Sequence, residues 1–176
     1  NLSPMMYDGI LLDLDDTLYD YDICHDFALY EVSKYFVKKF NLDKEEVYNS
    51  YAHNKNFVNN SLKETASSHN RLLYFQKMLE NFKINSLIHA LNLYRLYWKS
   101  FYSKMKLFDG VEVFLKQYKG RICILTDLTA DVQFEKVSVL KLNKYLDLIV
   151  TSEEVGVEKP DQKMFFAGLK KLNISF

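Results

Sequence analysis

The feature that most constrains the fold is a short apolar run that ends in three carboxylates, ILLDLDDTL at residues 10–18. A run of this length and composition indicates a buried strand of a parallel sheet. Asp13 and Asp15 stand where the strand gives way to a turn, so their carboxylates leave its carboxyl end together, where open α/β sheets bind ligands. Because like charges so close resist joint ionisation, a hard divalent cation such as Mg²⁺ would relieve the crowding.

Two other interpretations of this turn use the same residues. The first is an acidic, water-facing turn at the end of an ordinary strand, and the turn alone does not exclude it. The second is a calcium-binding loop, which needs Gly at its sixth position and Glu at its twelfth. Counted from Asp13, those positions hold Leu18 and Cys24, which excludes the calcium loop.

The composition bounds the class of protein. The 176 residues suit one domain, or a core with a small insertion, and 48% of them are apolar. The 23 basic and 23 acidic residues give a formal net charge of zero, so the chain lacks the excess positive charge with which proteins bind nucleic acid. Only Arg71, Arg95 and Arg121 are arginines, which also argues against a nucleic-acid partner.

The expected localisation follows from what the sequence lacks. No apolar run approaches the ~20 residues that span a bilayer, and no signal-peptide pattern opens the chain. We expect a cytoplasmic protein with no membrane partner, and a natural start at Met5 or Met6 is simpler than one at residue 1. Cys24 and Cys123 form no metal-spaced pair, and Cys123 is expected to be a small buried hydrophobe.

Residues 24–105 form a helical block without a convincing strand. Asp43 with Glu46 three residues later predicts a capped helix start, and Ser67 or Ser68 is a candidate cap for the next helix. Apolar positions at helical spacing predict the buried faces of four helices: Phe27, Leu29, Val32, Phe36 and Phe40; Val47 and Tyr51; Leu72, Phe75, Leu79 and Phe82; Leu87, Leu91, Tyr94, Trp98 and Phe101.

All four histidines lie in the same block. A metal site is one interpretation of them, but no pair has a ligand spacing such as H-x-x-x-H. We therefore expect surface or partly buried positions for these residues: His25, His53, His69 and His89.

Strands and helices alternate after residue 105. Apolar strands are expected at residues 122–125 and 146–151, with a helix before Gly120, a helix at residues 130–140 and a last helix opened by Pro160. The apolar positions expected on the first and last of these helices are Val113, Phe114 and Tyr118, and Phe165, Leu169 and Leu172. The order predicts a parallel sheet with one large helical insertion.

The three apolar strands all end in residues that can carry chemistry. The first ends in Asp13 and Asp15, the second in Thr126 and Asp127, and the third leads to a loop that reaches Lys159. In a doubly wound sheet all three converge on one edge. A carboxylate nucleophile, a second carboxylate that carries protons, and hydroxyl, amide and ammonium donors together suit phosphoryl transfer.

On these motifs the sequence resembles the haloacid dehalogenase (HAD) superfamily, in its phosphatase branch with a helical cap inserted after the first strand. Residues 12–18 match the first motif of that family in full. Residues 122–126 match the second, followed by Gln133, Lys136 and Leu140 at familiar spacing, and residues 152–160 are similar to the third.

The resemblance covers residues 7–176 and implies a domain organisation. The fold would be α/β, with a Rossmann-like three-layer core built on a parallel sheet. That core would comprise residues 5–19 and 106–176, and an all-helical cap domain would comprise residues 20–105.

The resemblance also implies a function and a role for each site residue. The chain would be a Mg²⁺-dependent phosphomonoester hydrolase of a small phosphorylated metabolite, of the nucleotide or sugar phosphate type. Asp13 would attack phosphorus and ligate Mg²⁺, and Asp15 would serve as general acid and then as base while giving the metal its backbone carbonyl. Thr126 and Lys159 would bind the phosphoryl group, and Lys159 would also neutralise the nucleophile.

Two departures from the family pattern matter. Asp127 stands where many relatives have Asn, and since an anionic side chain repels phosphate, we expect it to turn away and offer only its backbone N–H. The fourth motif, a further strand with two acids that complete the metal site, is missing. We therefore expect a fragment whose first strand has an unpaired edge and which binds Mg²⁺ weakly, with low or no activity.

Other functions stay open. Within enzymes, a haloacid dehalogenase needs no acid at Asp15, and a phosphomutase needs cap groups that the sequence does not identify. A phospho-acceptor receiver domain also uses strand-end Asp, Thr and Lys, but it has no room for the helical insertion. A truncated, non-catalytic binding module is the remaining alternative, and neither the substrate nor the oligomeric state can be told from the sequence.

Overall fold

The computed structural model describes residues 7–146 and 148–174 of the chain. The prediction of a natural start at Met5 or Met6 concerns residues outside these ranges. The chain packs as two compact units. The α/β unit comprises Asn1–Asp20 and Lys106–Phe176, and the helical unit comprises Tyr21–Met105.

Three strands and eight α-helices make up the regular structure of the described residues, together with two short 3-10 turns. In chain order they are β1 (Gly9–Leu12), α1 (Tyr21–Phe40), α2 (Lys44–Ser61), α3 (Arg71–Asn81), α4 (Ser86–Lys104), α5 (Val111–Gln117), β2 (Arg121–Thr126), α6 (Ala130–Val139), β3 (Leu148–Thr151), α7 (Ser152–Val155) and α8 (Gln162–Leu172).

The α/β unit is built on a parallel sheet with the strand order β1-β2-β3. Leu12 is opposite Ile124, and Cys123 is opposite Leu148, so the three carboxyl ends reach the same edge. The predicted α/β fold with a parallel sheet is confirmed. In the sheet that the structure describes, β1 and β3 are the outer strands.

One hydrophobic cluster of the α/β unit lies between the sheet and α8. Its buried members are Cys123, Leu125, Val150, Met164 and Leu172. Gly168 brings α8 against β1, because a Cβ at this position would lie 2.5 Å from Leu11 Cδ2. The expectation that Cys123 is a buried hydrophobe is confirmed.

The helical unit is formed by α1–α4, and residues 21–105 contain no strand, as predicted. α4 packs against both α1 and α3, and α2 packs against α3. Large aromatic side chains fill the core: Phe36, Tyr51, Tyr74, Phe75, Tyr97, Trp98 and Phe101. All four histidines are partly buried or exposed, as expected.

One of the two predicted helix caps is confirmed. Asp43 Oδ1 accepts hydrogen bonds from the backbone N–H groups of Glu45 and Glu46, at 2.8 and 3.2 Å. The prediction of Ser67 or Ser68 as the next cap is wrong. Both lie in a 3-10 turn, Ala66–His69, and Asn70 caps α3 instead by accepting from Leu72 N at 3.0 Å.

Two predicted helix faces in the helical unit need correction. On α4, Leu87 is 94% exposed and Leu91 is 45% exposed, whereas the predicted Trp98 and Phe101 are buried together with Ala90, Leu93 and Tyr97. The predicted positions and the column of Ala90, Leu93 and Tyr97 are rotated by roughly 90° from each other on a helix, and both are apolar, so periodicity alone does not choose between them. On α3 the buried face extends to Arg71 and Tyr74, neither of which the apolar pattern selected.

The α/β unit has similar corrections. On α5, Val113 and Phe114 are exposed and only Leu115 is buried, and the helix is capped by Tyr118 rather than Gly120. On α8 the buried residues are Met164, Gly168 and Leu172, and the cap is Asp161, one residue after Pro160. The reason is the same, since apolar residues occupy adjacent columns of these short helices.

Among the described residues, none of the helices combines the length and apolar character required to cross a lipid bilayer. The cytoplasmic location stays a prediction.

Candidate active site

The carboxyl edge of the sheet brings the sequence-predicted site residues together within the α/β unit. Asp13 and Asp15 follow β1, Thr126 is the last residue of β2, and Asp127 follows it. Lys159 comes from the loop between α7 and α8. A network of hydrogen bonds and ion pairs joins these five residues.

Asp13 is held by two donors. Lys159 Nζ lies 2.5 Å from Asp13 Oδ1, and the same ammonium donates to the Leu125 carbonyl at 3.2 Å. Thr17 Oγ1 donates to Asp13 Oδ2 at 3.1 Å. The side chain of Asp13 is 41% exposed, so its carboxylate is both charge-compensated and accessible to a ligand.

Asp15 has a more enclosed environment. Lys136 Nζ donates to its two carboxylate oxygens at 2.7 and 2.8 Å, and Gln133 Nε2 donates to Oδ2 at 3.1 Å. The Tyr19 hydroxyl donates to Oδ1. Burial raises the pKa of Asp15, but the charge and hydrogen bonds of Lys136 outweigh it, so the pKa lies below its ordinary value.

Lys136, Gln133 and Tyr19 are the parts of the site to which sequence reasoning gave no role. Lys136 and Gln133 are fully buried and lie three residues apart on the same face of α6. A lysine in an amphipathic helix normally faces solvent, so the pattern did not indicate an internal ion pair. The available signal was the spacing of the two polar residues from Thr126, which matched the second motif.

Thr126 and Asp127 make contacts within the site. Thr126 is buried, its hydroxyl accepts from Gln133 Nε2, and it donates to the Asp127 carbonyl at 3.3 Å. Asp127, whose side chain was expected to turn away from a bound phosphate, accepts from the backbone N–H of Lys159 at 3.0 Å. The Asp127 carboxylate thereby fixes the loop that carries Lys159.

The acidic groups of this edge influence one another. Burial raises the pKa of Asp127, and the nearby charges of Asp13 and Asp15 add to the effect while Lys159 opposes it. Burial and the charge of Asp127 raise the pKa of Glu158 to about 7. The sheet edge therefore carries excess negative charge, which a bound cation would lower.

The carboxylate oxygens at this edge are of the kind that binds a magnesium ion. Mg²⁺ prefers oxygen ligands and is usually held by one or two carboxylates together with waters and substrate phosphate, rather than by an all-protein cage. Among the described residues, Asp13 Oδ2 has only the Thr17 hydroxyl as a partner and could serve as such a ligand. Within the described residues, no group of three or more His, Cys, Asp or Glu side chains forms a metal cage.

The comparison with known families agrees with this fold. The sequence profile of the haloacid dehalogenase-like hydrolases matches residues 10–175. The chain belongs to this hydrolase family, as the motifs predicted.

The curated relatives with similar sequences are phosphatases. A ribulose-1,5-bisphosphate 5-phosphatase of Halopiger xanaduensis is 32% identical over 96% of this chain and 72% of its own length. A glyceraldehyde 3-phosphate phosphatase of Methanocaldococcus jannaschii is 27% identical, with the same two coverages of 96% and 72%.

Solved structures share the fold at lower identity. A 2-haloacid dehalogenase from Pseudomonas syringae pv. Tomato DC3000 has a TM-score of 0.73 and 18% identity, and the match covers 96% of this chain and 74% of that one. A HAD phosphatase from Thermococcus onnurineus has a TM-score of 0.68 and 16% identity, with 96% and 73% covered. Both confirm the Rossmann-like α/β fold.

Proposed function

We propose that the chain is a Mg²⁺-dependent phosphomonoester hydrolase that acts through an aspartyl-phosphate on Asp13. The observation that carries the proposal is the pairing of Asp13 with Lys159, 2.5 Å apart at the carboxyl end of β1. An ammonium beside the nucleophile lowers the charge repulsion that a phosphate dianion would meet. The membership of the chain in a hydrolase family with phosphatase relatives supports the same reaction.

The first half of the reaction forms the acyl phosphate. A carboxylate oxygen of Asp13 attacks phosphorus, the bond from phosphorus to the ester oxygen breaks, and the leaving oxygen takes a proton from Asp15. Lys159 and the backbone N–H of Asp127 would bind the phosphoryl oxygens. Mg²⁺, held by Asp13 and the backbone carbonyl of Asp15, would supply further charge neutralisation.

Asp15 must be protonated for this first half, whereas Lys136 favours its anionic form in the free protein. A phosphate dianion placed beside Asp15 would raise its pKa by like-charge repulsion. In the second half Asp15 is the anion and accepts a proton from the water that attacks the acyl phosphate. That attack releases inorganic phosphate and restores Asp13. Lys136 would thus position Asp15 and stabilise its basic form.

We propose the substrate class from the names of the relatives alone. The two phosphatases with similar sequences are named for phosphorylated sugars, so sugar phosphates are the first compounds to test. We propose that the helical unit serves as the cap domain, with boundaries near residues 20 and 105.

The test is the hydrolysis of p-nitrophenyl phosphate by the whole chain, with and without Mg²⁺. Asp13→Asn should lower kcat by about 10³-fold or more, because an amide cannot form the acyl phosphate. Asp16→Asn is the matched control, since Asp16 is in the same turn with a φ of 60°, which Asn tolerates. This control should keep the activity of the unaltered chain.

Three outcomes would contradict the proposal. Activity that survives removal of Mg²⁺ by EDTA would exclude the metal dependence. An equal loss in Asp13→Asn and Asp16→Asn would point to the fold of the turn rather than to a nucleophile. Absence of any phosphoester turnover would favour the non-catalytic binding module.

A further inference from the structure

The helical unit contains a buried cation that the proposed reaction does not use. Arg71, the first residue of α3, is only 4% exposed. Its Nη1 donates to the His69 carbonyl at 2.6 Å, and its Nη2 donates to the Tyr21 hydroxyl. Its Nε is buried and has no hydrogen-bond partner among the described residues.

Aromatic rings surround the same guanidinium. The Cζ atom of Arg71 lies 5.6, 5.8 and 5.5 Å from the ring centroids of Tyr74, Tyr97 and Trp98. Cation–π contacts of this kind offset part of the cost of burying the charge. The Nε–H group is nevertheless without a hydrogen-bond partner among the described residues.

In residues 7–146 and 148–174, no carboxylate forms an ion pair with Arg71. Its polar partners there are neutral: the His69 carbonyl and the Tyr21 hydroxyl given above, together with the hydroxyls of Tyr51 and Tyr97. The nearby Lys55 is also cationic, and burial together with the charge of Arg71 lowers the pKa of Lys55, which only Asp22 opposes. Charged arginines are rarely buried without a paired anion, since removing the charge from water is unfavourable.

We propose that the Arg71 cluster, formed by Arg71, Tyr21, His25, Tyr97 and Trp98, is an oxyanion-binding site of the helical unit. The ligand is a carboxylate or phosphate group that accepts from Arg71. Nε and Nη2 share one edge of the guanidinium and suit the two oxygens of such a group. Tyr21 and His25 are only partly buried, so the cluster reaches the surface of the unit beside them.

The chain contains its own reporter for this site. Trp98 is the only tryptophan, and its ring lies against Arg71. The emission of Trp98 should change saturably when inorganic phosphate or malonate is titrated into the whole chain at fixed ionic strength in chloride. Arg71→Gln should weaken the apparent affinity by about tenfold or more, because the charge-assisted bonds are lost.

A second variant separates this site from the candidate active site. Lys159→Gln removes a phosphate-binding group of the α/β unit and should leave the Trp98 titration unchanged. If the titration is lost in Lys159→Gln and kept in Arg71→Gln, the proposal is wrong. It is also wrong if the unaltered chain shows no saturable change with either anion, a result that does not depend on the folding of any variant.

A kinetic experiment identifies whether the oxyanion belongs to the substrate or is a separate anion. Of the experiments on the Arg71 cluster, this one alone rests on the proposed function. The unaltered chain is given phenyl phosphate and 4-carboxyphenyl phosphate. A lower KM for the carboxylated ester that is lost in Arg71→Gln assigns the site to an acidic group of the substrate. Equal KM values with a saturable Trp98 titration assign it to a separate small anion. If neither ester is hydrolysed, the proposed function fails while the titration still decides the site.

Discussion

The pair formed by Asp15 and Lys136 is the most enclosed ionic contact of the candidate site. The side chain of Lys136 has no exposure to solvent and that of Asp15 has 21%. An ion pair of this kind adds little net stability over an apolar pair, but the loss of one partner leaves a buried charge uncompensated. We therefore expect the pair to serve mainly to fix the position and the charge of Asp15.

Lys136→Met tests this view of the pair. The change should destabilise the chain by roughly 3 kcal/mol, the lower end for a broken buried pair, since Asp15 retains some contact with water. Urea unfolding followed by circular dichroism measures the difference. Lys116→Met is the control, because Lys116 is 58% exposed in its pair with Glu112 and its loss should leave the stability nearly unchanged. Equal effects of the two changes would contradict the prediction.

The lowered pKa of Asp15 also predicts a pH dependence of stability. A carboxyl group whose folded-state pKa lies below its unfolded value of 3.8 contributes stability above that value and loses it as the pH falls through the folded-state pKa. The unaltered chain should therefore exceed Asp15→Asn in free energy of unfolding at pH 6, and the difference should shrink as the pH falls below 3.8. Urea midpoints measured at several pH values provide the test, and a constant difference would refute it.

At the level of single elements, the start of α3 tests which residue is the true cap. Asn70→Ala removes the acceptor of the Leu72 N–H and should cost about 1 kcal/mol of stability. Ser67→Ala is the matched control, since Ser67 is exposed in the preceding 3-10 turn and should change little. Thermal or urea unfolding of both variants decides the matter. A larger loss of stability in Ser67→Ala than in Asn70→Ala would support the serine cap predicted from the sequence.

The elements show where sequence reasoning succeeds and where it stops. The strands could be predicted because each is a short apolar run that ends in a polar turn, as β2 does at Thr126. Helix faces could not be chosen where two adjacent columns are apolar, and Leu87 and Leu93 of α4 illustrate the ambiguity. Lys136 and Arg71 escaped prediction because their burial depends on partners that are distant in sequence.

At the scale of the molecule, the candidate site joins residues from both ends of the chain. Asp13 and Lys159 are 146 positions apart and are still in direct contact. The parallel topology made this contact predictable, because every strand of such a sheet delivers its carboxyl end to the same edge. The contacts between side chains within that edge, such as those of Gln133, depend on packing that the topology does not specify.

The balance of charge across the whole chain leads to a prediction about solubility. With 23 basic and 23 acidic residues the net charge at pH 7 is zero, so molecules repel one another least there. Exposed apolar side chains add attraction, and Leu87 at 94% and Ile88 at 61% exposure are adjacent at the start of α4. We expect precipitation by polyethylene glycol to be easiest near the isoelectric point of about 7.1 and harder on both sides of it.

Leu87→Lys should raise the precipitation threshold at pH 7, because it adds charge and removes an exposed apolar group. Its free energy of unfolding should change by less than about 0.5 kcal/mol, as is usual for an exposed position. Asn92→Lys adds the same charge at another exposed position of α4 without removing an apolar side chain. If both variants raise the threshold equally, charge alone limits solubility. If Leu87→Lys raises it further, the apolar start of α4 is a self-association surface whose effect is separate from the charge balance.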